Sequence, residues 1–116
     1  MKLIPADEPP LARDHPSLQV KEYDFEDPTI NSASIVIDGR YPLEGYAANS
    51  VCTALVIVES GAGSITIKDQ PTVNLAPGDH LLVQPHEAYY FLPLGELVIR
   101  YISTPAWTVG QSYTVE

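Results

Sequence analysis

Cysteine and basic residues are scarce in this chain of 116 residues. The single cysteine, Cys52, excludes a disulfide within the chain, and its apolar neighbours favour a buried small side chain over a nucleophile. Six basic residues stand against 15 acidic ones, which gives a formal charge of -9. Nucleic acids and anionic membranes would both be repelled by that charge, so we expect neither as a partner.

Long apolar runs and helical periodicity are also missing. No run approaches the ~18 apolar residues of a membrane-spanning helix. The apolar start of the chain is cut off by Pro5 and the acidic residues that follow, unlike a signal peptide, so the expected location is the cytoplasm. The apolar content of 45% is nevertheless that of a globular chain, and the length suits one domain.

Short apolar runs separated by turn residues are abundant instead. Their spacing of about 8–12 residues is typical of a β-sandwich or barrel, and an all-β domain of this size closes its sheets to avoid bare edges. The predicted strands are 18–25, 32–38, 51–59, 63–68, 72–75, 80–83, 88–92, 96–103 and 112–115. Residues 1–17 hold four of the eleven prolines, which predicts an extended N-terminal arm before a barrel of residues 18–116.

Two turns in the second half of the chain carry a family resemblance. A Gly-Ala-Gly turn at 61–63 separates two apolar strands, and Pro77-Gly78-Asp79 then leads into an apolar strand that stops at Pro85. This order resembles the second half of a cupin, in which a histidine follows the turn glycine by eleven residues. Tyr89 stands at that position. The resemblance covers residues 18–108 and implies an all-β, double-stranded β-helix, the cupin-type jelly-roll barrel.

The other cupin metal ligands are missing as well. When the first cupin motif is placed to end at Gly61, its glutamate position falls on Ala54 and its two histidines fall on Ala47 and Asn49. No His-x-His occurs anywhere in the chain. The resemblance therefore implies a degenerate cupin without the family's metal, and we expect no metal and no other cofactor. A site of two histidines, His80 and His86, with Glu87 is the alternative.

The vacated ligand positions predict a pocket. In the implied fold they face the interior, where two alanines leave room and an amide and a phenol supply polar contacts, as in many small-molecule sites. The predicted ligand-binding residues are Tyr46, Asn49, Ala54, Tyr89, Phe91 and Arg40. Two alternatives stay open: the barrel is filled by aromatic side chains, and Arg40 forms a surface ion pair.

Two functions fit these features. The first is a metal-free barrel that binds a small, partly polar organic ligand. The second is a metal-independent enzyme similar to the sugar isomerases, epimerases or cyclases among cupins, with His80 or His86 and Tyr89 as the acid–base pair. His80 pointing into the barrel, within hydrogen-bond reach of a tyrosine, would favour the enzyme. A homodimer is expected, in which the N-terminal arm covers a sheet edge of the partner.

Overall fold

The computed structural model describes residues 1–116 as nine antiparallel β-strands. In chain order these are β1 Leu11–His15, β2 Leu18–Tyr23, β3 Asn31–Ile37, β4 Tyr46–Asn49, β5 Thr53–Ile67, β6 Val73–Leu75, β7 His80–Val83, β8 Tyr89–Thr104 and β9 Ser112–Val115. The one helical element is a single 3-10 turn at Val109–Gln111. None of the helical structure is long and apolar enough to cross a membrane.

The two longest strands, β5 and β8, connect two layers. Residues 53–58 of β5 pair with residues 99–104 of β8, whereas residues 63–67 of β5 pair with residues 89–93 of β8. The register shifts twice between these halves, and such irregularities bend a strand. The pairings therefore give a first sheet in the order β1-β2-β3-β8-β5-β7 and a second sheet in the order β6-β5-β8-β4-β9.

Alternation along β5 separates the core from the outer face of the first sheet. Ala54, Val56 and Val58 are each 1% exposed and belong to the apolar core. The intervening side chains face outward, and Glu59 accepts a hydrogen bond from Nε of Arg100 at 3.0 Å on that outer face. A period of two is what a strand with one buried face requires.

Glycine is required where β5 changes sheets. Gly61 has a φ of 87°, in the left-handed region, and a Cβ there would clash with the backbone oxygen of Glu96. The turn before β7 works differently. Gly78 has a φ of 93°, with open space around it, and a carboxylate oxygen of Asp79 accepts the Ala76 N–H at 2.8 Å to close the turn.

The strands differ from the sequence-based prediction in two ways. The predicted segments 51–59 and 63–68 are one strand, as are 88–92 and 96–103, because the glycines between them form bulges and bends instead of hairpin turns. Two strands were not predicted: β4, and β1 within the predicted arm. Residues 11–15 pair with β2 as a hairpin in which His15 lies opposite Leu18, so only residues 1–10 precede the first strand.

Candidate functional site

The interior of the barrel is packed at one end and hollow at the other. At the packed end Val56, Val58, Ile65, Leu75 and Val83 are all at most 8% exposed. The hollow end contains a cavity of about 370 Å³, which lies within the range of small-molecule sites. Residues of β1, β2, β3, β4, β8 and β9 line it, and most of them are apolar.

Four tyrosines line this cavity: the exposed Tyr113 on β9, and three less exposed ones from distant parts of the chain. Tyr89 begins β8 opposite Ala47 of β4, and Tyr101 lies further along β8 opposite Ala33 of β3. Tyr41 precedes β4 and is tied to β8 by two backbone hydrogen bonds with Phe91, at 3.0 and 2.8 Å. The three side chains meet because β8, which belongs to both sheets, contains two of these tyrosines and is hydrogen-bonded to the third.

Burial makes all three phenols harder to ionise than a free tyrosine. It raises the pKa of Tyr41, and it raises that of Tyr101 to about 12. The pKa of Tyr89 lies well above its usual value, mainly because of burial, with smaller contributions from the neighbouring Tyr101 and Tyr41. A neutral phenol can donate one hydrogen bond and accept others. The cavity therefore offers polar contacts without any charge in its inner part.

Charged side chains occur at the β1 side of the cavity. Arg13 and His15 alternate on β1 and both line the cavity. The His15 ring lies 6.2 Å from the ring of Tyr41. The Nε of Arg13 donates to Oε2 of Glu22 at 2.6 Å, and its guanidinium carbon lies 5.5 Å from the centre of the Trp107 ring. A cation over an aromatic face at this distance is attracted to it.

A network of buried hydrogen bonds supports this charged side of the cavity. Glu22 is 8% exposed, and its other oxygen accepts from Nδ2 of Asn31 at 3.3 Å. The amide oxygen of Asn31 accepts hydrogen bonds from the hydroxyl of Ser103 and from the backbone N–H of Trp107. A buried polar network in which each member has partners fixes one arrangement of its side chains.

Comparison with solved structures gives the fold, while sequence comparison gives no relative. No protein-family model and no curated protein matches the chain. Pac13, described as a unique nucleoside dehydratase, has a TM-score of 0.84 over 100% of this chain and 92% of its own, at 16% identity. Variants of Streptomyces Pac13 with one tyrosine replaced, solved with uridine, give the same TM-score.

Other similar structures include two further proteins. Ectoine synthase from P. lautus has a TM-score of 0.73 over 96% of this chain and 84% of its own, at 14% identity. KdgF from Halomonas sp. has a TM-score of 0.64 over 81% and 86%, at 17% identity. The fold is a cupin fold. The predicted resemblance and the jelly-roll architecture are thereby confirmed, and identities this low establish the architecture alone.

Three of the six predicted binding residues line the cavity of this cupin barrel: Asn49, Tyr89 and Phe91. Phe91 packs edge-on against Tyr89, with 5.4 Å between ring centres. The amide of Asn49 is largely occupied, since its oxygen accepts the N–H groups of Val51 and Cys52 at 2.8 and 2.7 Å. Tyr89 is thus the predicted residue with the most capacity for a ligand.

Two other predicted residues lie on the outer face of the second sheet. Arg40 donates to the carbonyls of Pro42 and Gly45 at 2.6 and 3.0 Å. Its guanidinium carbon also lies 4.1 Å from the centre of the Tyr90 ring, and Tyr46 stacks on the same ring at 5.5 Å. Arg40 therefore braces a loop and forms no ion pair, so neither expected role matches its contacts.

The former metal positions of the cupin do not supply a set of free donor atoms that could hold an ion. Ala54 is 1% exposed in the packed end, away from the cavity, and Ala47 offers no donor atom. The amide of Asn49 is used locally, and Tyr89 is a protonated phenol. No three histidine, cysteine, aspartate or glutamate side chains lie close enough together to bind a metal. The donor set does not fit the family's metal.

Neither of the two histidines that the sequence put forward faces the cavity. His80 is exposed on β7, with Nδ1 2.9 Å from the carbonyl of Gly78. His86 is exposed beyond Pro85, with Nδ1 2.8 Å from the hydroxyl of Tyr113. The histidine on the cavity wall is His15, which the sequence analysis left in the arm. A two-residue hairpin turn at Pro16-Ser17 would have placed it there, because such a turn pairs His15 with Leu18 and puts both side chains on the same face.

Proposed function

We propose that the cavity binds a small, partly polar organic ligand of nucleoside size. The observation that carries this is the set of three neutral phenols, Tyr41, Tyr89 and Tyr101, in an otherwise mostly apolar space of about 370 Å³. Apolar walls favour burial of a ring, and the phenols supply hydrogen bonds that select its polar substituents. A nucleoside combines a flat ring with hydroxyl groups and carbonyls.

Uridine is the first ligand to test. Structures of Pac13 with uridine make it a reasoned choice, because the two barrels superpose over the whole of this chain. Calorimetric titration should give saturable binding with one site per chain. Loss of one hydrogen bond in Tyr89→Phe should weaken binding by about fivefold, since a buried bond contributes on the order of 1 kcal/mol.

The neighbouring tyrosine supplies the matched control. Tyr90 follows Tyr89 in the chain but stacks on Tyr46 outside the barrel. Tyr90→Phe removes the same atom and should leave binding unchanged. Equal effects of the two substitutions would contradict a ligand in the cavity, and so would the absence of binding by uridine, other nucleosides and free sugars.

A second candidate function is a metal-independent lyase that removes water from such a ligand. It is favoured by His15, which lines the cavity 6.2 Å from the ring of Tyr41. In this reaction His15 takes a proton from a carbon beside a carbonyl, and a neutral phenol gives its proton to the hydroxyl that leaves. A carbon–carbon double bond forms, water departs, and the phenolate regains its proton from His15.

Substitution of the histidine separates binding from chemistry. His15→Asn should abolish the rise in ultraviolet absorbance that a new conjugated double bond produces, while ligand binding persists. His80→Asn, on the exposed edge strand β7, should leave the rate unchanged. A rate in His15→Asn equal to that of the unaltered protein would contradict the lyase.

We further propose a homodimer in the cytoplasm that carries no metal and binds neither nucleic acid nor membrane. The formal charge of -9 supports the last two statements. The donor set at the former ligand positions supports the absence of a metal, and metal analysis of protein purified without a histidine tag tests it. Stoichiometric zinc, iron, nickel or manganese would contradict a metal-free barrel.

A further inference from the structure

We propose that Arg13 and His15 form an anion-binding subsite at the β1 side of the cavity, so that the preferred ligand carries a carboxylate or a phosphate beside its ring and hydroxyl groups. The inference rests on the proposed binding function and specifies the class of ligand.

Arg13 has four N–H groups with no partner in the protein. A guanidinium carries five N–H donors, and here only Nε is used, toward Glu22. The side chain is 40% exposed and lines the cavity. The four hydrogens on its terminal nitrogens are therefore open to a ligand. Their fork geometry matches the paired oxygens of a carboxylate or a phosphate.

The guanidinium is also held in place before any ligand arrives. Glu22 fixes it from one side and is itself fixed by Asn31, and the Trp107 ring lies against it. An arginine that is already oriented loses little conformational freedom on binding an anion. Arg40 is the contrast, since both of its terminal nitrogens already donate to backbone carbonyls and it does not line the cavity.

The donor groups around the cavity favour an anion there. Glu22 is the one carboxylate among the lining residues, and it uses one N–H of Arg13, which leaves the other N–H groups of that guanidinium and the His15 ring on the cavity wall. The two basic side chains are two residues apart on one face of β1, about 7 Å along the strand, so one oxyanion can contact both. Elsewhere the chain is strongly acidic, so these donors at the β1 side of the cavity would select where an anion docks.

Three uridine compounds test the subsite by calorimetry: uridine, its monophosphate and its uronic acid. The expected result is that at least one anionic compound binds about tenfold or more tightly than uridine. The two anions distinguish a phosphate from a carboxylate subsite. Raising the salt concentration from about 20 to 300 mM should weaken binding of the anions by about threefold or more and leave uridine unaffected.

A double substitution removes the charge without leaving a buried carboxylate unpaired. Arg13→Met alone would strand Glu22, which is strongly destabilising, so it is combined with Glu22→Gln. The preference for the anion over uridine should then fall to near one. The control is the outer ion pair, in which Arg100→Met with Glu59→Gln should keep the preference.

The outcomes separate the subsite from the wider function. If uridine binds as tightly as both anions, the subsite is wrong while the cavity function stands. If none of the three compounds binds, both are wrong. A preference that survives the double substitution also overturns the subsite. If that variant does not fold, as judged by circular dichroism, the salt dependence of the unaltered protein decides, and an unchanged anion affinity overturns the proposal.

Discussion

At the scale of single residues, the main polar groups of the cavity are tyrosine hydroxyls. Cupins that bind metal place three imidazoles and a carboxylate at positions where this chain has Ala47, Asn49, Tyr89 and Ala54. The structure replaces a charged centre with a cluster of buried phenols, Tyr89 together with Tyr41 and Tyr101. Their raised pKa values mean that the folded protein holds these protons more tightly than the unfolded chain does.

This difference predicts a loss of stability at high pH. The pKa of Tyr101 is raised from 10.0 to about 12, so its neutral form is favoured in the folded state. The stabilisation is fully present below pH 10 and is lost as pH rises from 10 through 12, because the unfolded chain ionises first. A shift of this size corresponds to roughly 3 kcal/mol for one group.

Urea titrations at about pH 8, 10 and 11 would measure the effect. Over this range tyrosine ionises in the unfolded chain, whereas Tyr101 in the folded protein, with a pKa of about 12, stays mostly protonated. Tyr101→Phe should flatten the decline, since phenylalanine cannot ionise. Tyr90→Phe, outside the barrel, should not change the slope. A slope that is the same in Tyr101→Phe as in the unaltered protein would contradict burial as the source of the shift.

Part of the site could be predicted from single residues and part could not. Tyr89 and Phe91 lie on a strand whose turn motif fixes its place in the fold, so the sequence put them near the cavity. Ala54 comes from the first motif, and it lies in the packed end because the cavity is shifted toward β1, β2 and β3. Tyr41 reaches the site through one isolated bridge to β8, which no local pattern indicates.

At the scale of elements, the two bent strands β5 and β8 connect the two sheets. Local patterns predicted most strand segments, because alternation and turn residues are visible in short windows. They did not show that β5 and β8 continue through their bends, since a glycine in a bulge and a glycine in a turn look alike in sequence. The hairpin of β1 with β2 was missed for a related reason, since proline density excluded a helix but also hid a short strand.

Gly61 is the position where the bend of β5 is most sensitive. Gly61→Ala should lower the free energy of unfolding by about 2–4 kcal/mol, because it combines a positive φ with a clash against the Glu96 backbone. Gly95→Ala is the matched control. Gly95 has a φ of 77° but open space around it, so we expect only the conformational cost, about 1 kcal/mol.

Urea unfolding of both variants separates the two contributions. The difference between them measures the close approach of β5 and β8 at the bend. Equal destabilisation by the two substitutions would show that contact with Glu96 does not matter. A Gly61→Ala protein as stable as the unaltered one would contradict the close approach itself.

Charge is distributed unevenly over the whole molecule. The chain carries -9, yet the outer face of the first sheet is close to neutral. Strand alternation places two basic residues, Lys21 and Arg100, and two acidic ones, Asp14 and Glu59, on that face. Between them lie apolar side chains that are only partly covered. These are Val36, Leu55, Ile57, Leu82, Val98 and Ile102.

This outer face of the first sheet is where we expect two copies of the chain to meet. A second acidic chain would be repelled almost everywhere else, whereas here apolar surface can be buried without bringing acidic groups together.

Leu82 is 60% exposed and lies beside Leu55, so Leu82→Glu should convert a dimer into a folded monomer in light scattering. Leu94→Glu changes a 77% exposed leucine between the two sheets and should leave the dimer intact. A monomer in the unaltered protein at micromolar concentration would contradict the dimer. A dimer that survives Leu82→Glu but dissociates when residues 1–10 are removed would place the contact on the N-terminal arm instead.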